Sequence, residues 1–154
     1  MNNWFKLGTV MAVCAGTSLA LAQRRPTPDE QANEYRQALM VLLGGNLTPM
    51  AGMARDRVPY DAAIVQTNSE RVQFLAGMIA DAFVRDTSGA ELETEALDGI
   101  WANKADFDAM SEETQSLAGA LLAAVRGGDE ASTKQAIGTL AGSCGDCHDQ
   151  YRSD

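Results

Sequence analysis

Residues 107–125 read Phe107-Asp-Ala-Met110-Ser-Glu-Glu-Thr114-Gln-Ser-Leu117-Ala-Gly-Ala-Leu121-Leu-Ala-Ala-Val125. Phe107, Met110, Thr114, Leu117, Leu121 and Val125 recur at spacings of three and four, so all six fall on one face of a helix. Gly127-Gly128 ends that helix in the usual way. Just beyond it, Asp129-Glu130 opens a second helical pattern, with Ile137, Leu140, Cys144, Cys147 and Tyr151 on its stripe.

The same period extends toward the N-terminus. After Pro59-Tyr60, Asp61 is placed to cap a helix carrying Val65, Val72, Leu75, Ile79 and Phe83. Earlier still, Pro26-Thr27-Pro28-Asp29-Glu30 suits a helix start, followed by Tyr35, Leu39 or Met40, Leu43 and Leu47 on one stripe. Gly44-Gly45 and Pro49 are expected to loosen, kink or end this first helix. Arg85 to Gly99, rich in Gly, Ser, Thr and Glu, reads as the long connection. Sustained apolar/polar alternation and hairpin dipeptides are missing, so strands are not expected. Four amphipathic helices with one long connection predict an all-α fold, an antiparallel four-helix bundle with room for a cofactor between facing helices.

A chain of 154 residues suffices for one core. Residues 1–22 read as a secretory leader: Met1 to Lys6 is a short basic start, Leu7 to Leu19 is mostly apolar, and Ala20-Leu21-Ala22 is a small-x-small cleavage site. The apolar run is shorter than the ~20 residues of a spanning helix and holds Gly8, Thr9, Gly16, Thr17 and Ser18. A mature domain of residues 23–154 in the periplasm is therefore expected. Of the 12 basic residues Lys6 leaves with the leader, so 11 face 21 acidic ones and the net charge becomes −10. Such a surface repels nucleic acid and anionic lipid, and suits a basic protein partner.

Cys14 also leaves with the leader, so the exported chain keeps Cys144 and Cys147 in an oxidising compartment. Cys144-Gly145-Asp146-Cys147-His148 is the attachment signature of c-type haem. Residues three and four apart share a helix face, so both sulfurs reach one porphyrin while the imidazole of His148 turns to the iron. Gly145 lets the flat ring approach the backbone. A structural zinc site would need a fourth ligand. A thioredoxin-like pair would need alternating strands and helices, and a plain disulfide would leave His148 idle.

Methionine is a common second axial ligand. Of Met40, Met50, Met53, Met78 and Met110, Met40 is best placed, midway along the first helix, with core filling as its other reading. Arg36, one turn before it, is either a haem propionate partner or a surface arginine. Arg152, four residues after His148, either flanks the proximal side or simply complements a helix C-terminus. His148 is the single histidine, so a peroxidase lacks the distal imidazole it would need, and no enzyme activity is expected.

The mature region resembles the cytochrome c′ family. The resemblance is carried by Tyr35-Arg36-Gln37-Ala38-Leu39-Met40, Pro59-Tyr60-Asp61-Ala62-Ala63, Ile100-Trp101 with Asp106-Phe107, and Cys144 through Arg152. It implies a four-helix bundle, often a homodimer, with one covalent haem c per chain and His148 as proximal ligand. It further places Met40 against the distal face, Arg36 and Gln37 near a propionate, and Arg152 beside the proximal histidine. Such proteins either carry electrons through Fe(III)/Fe(II) cycling to a redox partner protein or bind NO and sometimes CO at five-coordinate iron. Electron transfer is the expected role here, with binding or scavenging of NO or CO as the alternative. The chain departs from the family between Ala76 and Arg85, where an aromatic-rich stretch is usual.

Overall fold

The computed structural model describes residues 24–153. The leader assigned to residues 1–22 and the ends of the assigned domain, Gln23 and Asp154, lie outside them. The described chain forms α1 (Pro28–Ala54), α2 (Ala62–Ala76), two single-turn helices α3 (Ile79–Ala82) and α4 (Gly99–Ala102), then α5 (Lys104–Gly127) and α6 (Glu130–Tyr151). The four long helices form the expected antiparallel bundle, α5 packing on α2 and α6, and α1 on the same two. No strand forms among the described residues; one isolated bridge joins Ala96 to Arg152. None of the described helices is long and apolar enough to cross a membrane.

Local chemistry sets the helix ends. Thr27 and Glu30 close a reciprocal capping box at the start of α1. Asp61 accepts from the amides of Ala63 and Ile64, and Asp129 from that of Ser132. Gly128 ends α5 in the left-handed region at φ 77°, which costs a glycine nothing.

Three expectations about these elements are corrected. Helix α1 does not end at Gly44-Gly45, and it runs on past Pro49. The proline forfeits only its own amide bond, to the carbonyl of Gly45. The fully buried Met50, with Met53 behind it, anchors the following turns, and such packing outweighs local propensity. The second segment is not one helix: α2 stops at Ala76, Gly77 turns the chain, and Ile79 and Phe83 reach the core from α3 and its end. Finally Tyr35 is exposed, and the neighbouring Arg36 takes the inward position with 3% exposure. On α5 the buried face is rotated slightly from the expected stripe. Phe107, Ser111, Thr114, Ala118 and Leu121 are buried, while Met110, Leu117 and Val125 are only partly so.

Candidate cofactor site

The bundle is closed at one end and hollow at the other. A cavity of about 790 Å³ lies between the first half of α1, the second half of α2, the start of α5 and the last turns of α6. That volume is in the range of small-molecule and cofactor sites. Its deep walls are apolar, built from Val72, Ala76, Ile79, Phe83, Ile100 and Leu140.

Helix α6 brings Cys144, Cys147 and His148 to the cavity, as the helical spacing requires. The cysteines are half-buried and not bonded to each other. Burial pushes both thiols above their ordinary pKa, and Cys147 is raised further by the charges of Cys144 and Asp106. The imidazole of His148 is shifted down, first by burial and then by the Arg152 cation. Its neutral form, the one with a lone pair for a metal, is thereby favoured.

Helix α1 supplies the facing wall with Arg36, Met40, Leu43 and Leu47. Met40 is partly buried, and it is the single thioether in the wall. Arg36 corrects the picture of a surface arginine. Its guanidinium donates from Nε to the Ala82 carbonyl (3.0 Å), from Nη1 to Thr87 Oγ1 (2.8 Å) and from Nη2 to the Arg85 carbonyl (2.6 Å). It also lies 5.2 Å from the Phe83 ring centroid and 4.9 Å from that of Trp101. Burial pushes its pKa down, yet the guanidinium stays charged. No carboxylate forms a salt bridge with it among the described residues, although Asp29 and Asp86 are near enough to favour its charge.

The segment 93–96 closes one edge of the cavity. Asn33 Nδ2 (3.0 Å) and Gln37 Nε2 (2.9 Å) both donate to the Glu93 carbonyl. Leu97 N donates to the Tyr151 carbonyl and Ser153 N to that of Glu95. Arg152 closes the helical turn after His148, its amide donating to the His148 carbonyl at 3.0 Å. It is the extended C-cap residue of α6, half exposed and paired with Glu95 at 2.6 Å, although it does line the cavity.

All of the residues singled out from the sequence thus meet at one cavity. The sequence pattern placed Thr114 on the α5 stripe without a site role, and it missed Ser111 on the same buried face and the segment 93–96, whose closure depends on a backbone carbonyl. The donor set fits a flat, largely apolar ring bearing a metal and carboxylates: two thiols and a neutral imidazole on one wall, a thioether facing them, and a buried cation.

Comparison with known proteins agrees. The family model described as Cytochrome C' matches residues 31–152. The cytochrome c′ of Rubrivivax gelatinosus is 32% identical over 121 residues, 79% of this chain and 93% of that protein. The solved structure of cytochrome c prime from Shewanella frigidimarina shares 35% identity at a TM-score of 0.77, covering 84% of this chain and 100% of that one. A nitric oxide complex of a mutant cytochrome c prime from Alcaligenes xylosoxidans shares 31% at a TM-score of 0.72, covering 82% and 97%. With a family match over most of its length and relatives above 30% identity, the chain belongs to the cytochrome c′ family, whose proteins bind haem c covalently.

Proposed function

We propose that this chain is a periplasmic electron carrier whose haem c is held through the sulfurs of Cys144 and Cys147, with His148 and Met40 as the axial ligands. The observation that carries this reading is the arrangement across the cavity: α6 presents both cysteines and the one histidine, and α1 presents the one thioether. Bound there, haem supplies one-electron cycling between Fe(III) and Fe(II). The chain's own part is to orient and insulate. Arg36 offers its remaining N–H groups and its positive charge to a propionate, Gln37 fixes the Glu93 segment over the cavity edge, and burial together with the Arg152 cation favours the neutral imidazole. No acid–base step is assigned, because the single histidine is committed to iron.

A second reading has its own support. Gly44, one turn after Met40, lines the cavity, and a Cβ built on it meets nothing within 4 Å. The space beside Met40 is open on the side of Gly44, and the mutant Alcaligenes relative forms a nitric oxide complex. Absorption spectra of the ferric and ferrous protein, with and without CO or NO, decide between the two. Electron transfer predicts a low-spin spectrum with a methionine-to-iron charge-transfer band that Met40→Leu abolishes. A high-spin spectrum that shifts with gas sinks that reading and establishes the second.

Two parts of the proposal have separate tests. Export with cleavage after Ala22 predicts a mature N-terminus at Gln23, read by mass spectrometry. Homodimer formation is supported by Tyr35, Leu42, Ile64 and Phe74, exposed apolar residues on α1 and α2, the last at 70% exposure. Phe74→Glu is expected to turn a dimer into a monomer in light scattering.

A further inference from the structure

Ser111 is 5% exposed, on the buried face of α5 one turn after Phe107, and lines the cavity. Its hydroxyl makes no hydrogen bond among the described residues. The other buried hydroxyls nearby do: Thr114 Oγ1 donates to the Met110 carbonyl (2.9 Å), and Ser143 Oγ donates to the Leu140 carbonyl (3.2 Å). Those two lie 3.3 Å apart across the α5–α6 seam, next to Cys144.

The unpartnered state of Ser111 differs from that of Asn33. Asn33 Oδ1 has almost no accessible surface. Ser111 Oγ is not sealed, so its accessible surface opens on the cavity it lines. A buried hydroxyl without a partner is costly, and a chain that needed only filling at this position would carry alanine. The local backbone offers a hydroxyl on a helix the carbonyl four residues earlier. Thr114 takes it and Ser111 does not.

We infer that Ser111 is a potential-setting residue: its hydroxyl hydrogen, having no acceptor in the protein, directs its positive end into the cavity and stabilises the haem in its reduced, more electron-rich state. This rests on the reading of the cavity as the haem site of an electron carrier. The iron gains one electron and no proton, so a fixed dipole in the cavity wall acts on the charge difference directly. Arg36 acts with the same sign from the α1 wall, its guanidinium bonded to the Ala82 and Arg85 carbonyls and to Thr87. Thr114 is the internal contrast, since its hydrogen points at its own helix.

Midpoint potentials from mediator titrations of the haem-loaded full chain test this. Ser111→Ala is expected to lower the reduction equilibrium constant about tenfold, which is about 59 mV for one electron, while Ser111→Thr stays near the wild type. Thr114→Val is expected to move it by less than a third as many millivolts. An unchanged potential in Ser111→Ala with haem attached overturns the inference, and so does an equal shift in Thr114→Val, which would mean a general loss of polarity. If Ser111→Ala does not load haem, the potential of Ser111→Gly decides in its place by the same criterion. Absence of covalent haem in the wild type, read from its pyridine haemochrome, overturns the haem reading itself and is thus distinct from a failure of Ser111.

Discussion

The two ends of this bundle are made from the same four helices and behave oppositely. At the closed end Met50, Val65, Leu121 and Ile137 are each fully buried against one another. At the hollow end the same helices stand apart around about 790 Å³, and the wall includes a cation, two thiols and unpaired polar atoms. The closed end is a protein core in the ordinary sense. The hollow end is half of a core, whose other half is the haem.

The largest expected effect follows from that difference. Val72, Ala76, Ile79, Phe83, Ile100 and Leu140 border this space and lack packing partners on that side, so the hollow end is the less stable one until its occupant fills it. Cys144→Ser with Cys147→Ser, which removes covalent attachment, is expected to loosen α3, the segment 85–99 and the last turns of α6. Residues 50–54, 62–69, 118–125 and 131–138 should keep their amides protected from hydrogen exchange. Protection lost uniformly over all four helices would show that the two ends are one cooperative unit after all.

Arg36 sharpens the comparison next. Its three hydrogen bonds tie α1 to the chain between Ala82 and Thr87, and each orphaned buried acceptor costs ~1–3 kcal/mol. Arg36→Met is expected to lose about 3 kcal/mol of stability in urea titrations and to lower the midpoint potential. Loss of stability with an unchanged potential would make it a strut alone.

How far the sequence discloses each end follows from the same physics. The closed end is legible: apolar residues every three and four positions meet other apolar residues, and Asp61, Asp129 and Gly128 mark where helices start and stop. The attachment motif is legible too, because covalent chemistry demands a fixed spacing. The rest of the hollow end is not. Where a helix packs against a cofactor, periodic positions are filled by Arg36 and Ser111, and an apolar pattern cannot register them. That is why Tyr35 is mistaken for the inward residue and Arg36 is left open between a propionate partner and a surface arginine. The segment 93–96 is set by Asn33 and Gln37 reaching backbone carbonyls 60 and 56 residues away, contacts no local pattern encodes. Gly44, Gly45 and Pro49 predict a break that does not occur, because burial of Met50 and Met53 is a tertiary fact.

Two valines on α2 put a smaller number on the contrast. Val65 is in the closed end and Val72 in the cavity wall, and both are almost fully buried. Val65→Ala is expected to cost about 2 kcal/mol, from lost transfer energy plus a small new void. In the haem-free protein Val72→Ala should cost less than half of that, since its methyl groups border space that is already empty or collapsed. Equal costs, measured by denaturant unfolding of the haem-free chains, would mean that the hollow end repacks as tightly as the closed one.

The smallest effect concerns the ties at the two ends, and it is read in alkali. At the hollow end Tyr151 donates to Asp106 at 2.7 Å. That bond, then burial and the Asp106 charge, push the phenol up to about 12. A raised pKa on an acid favours the protonated form in the folded state, so the stabilisation is complete below the ordinary tyrosine value near 10 and is lost as pH rises toward 12. At the closed end Lys134 bonds Asp56 and Glu130, both at 2.7 Å, and these bonds raise its pKa. Its contribution has the same sign and is likewise lost in alkali, so pH alone does not separate the ends. Salt does. Asp56 is 80% exposed, and at 1 M salt the screening length falls to ~3 Å, which weakens an exposed pair while leaving an uncharged phenol's hydrogen bond in place. Unfolding midpoints at pH 9 and pH 11.5 should therefore differ by less in Tyr151→Phe than in the wild type at every ionic strength. Lys134→Met should change that difference only at low salt. If salt abolishes the Tyr151→Phe effect as well, the hollow end is held at its rim by charge, and the distinction between a packed end and a cofactor-filled end does not extend to how each is tied.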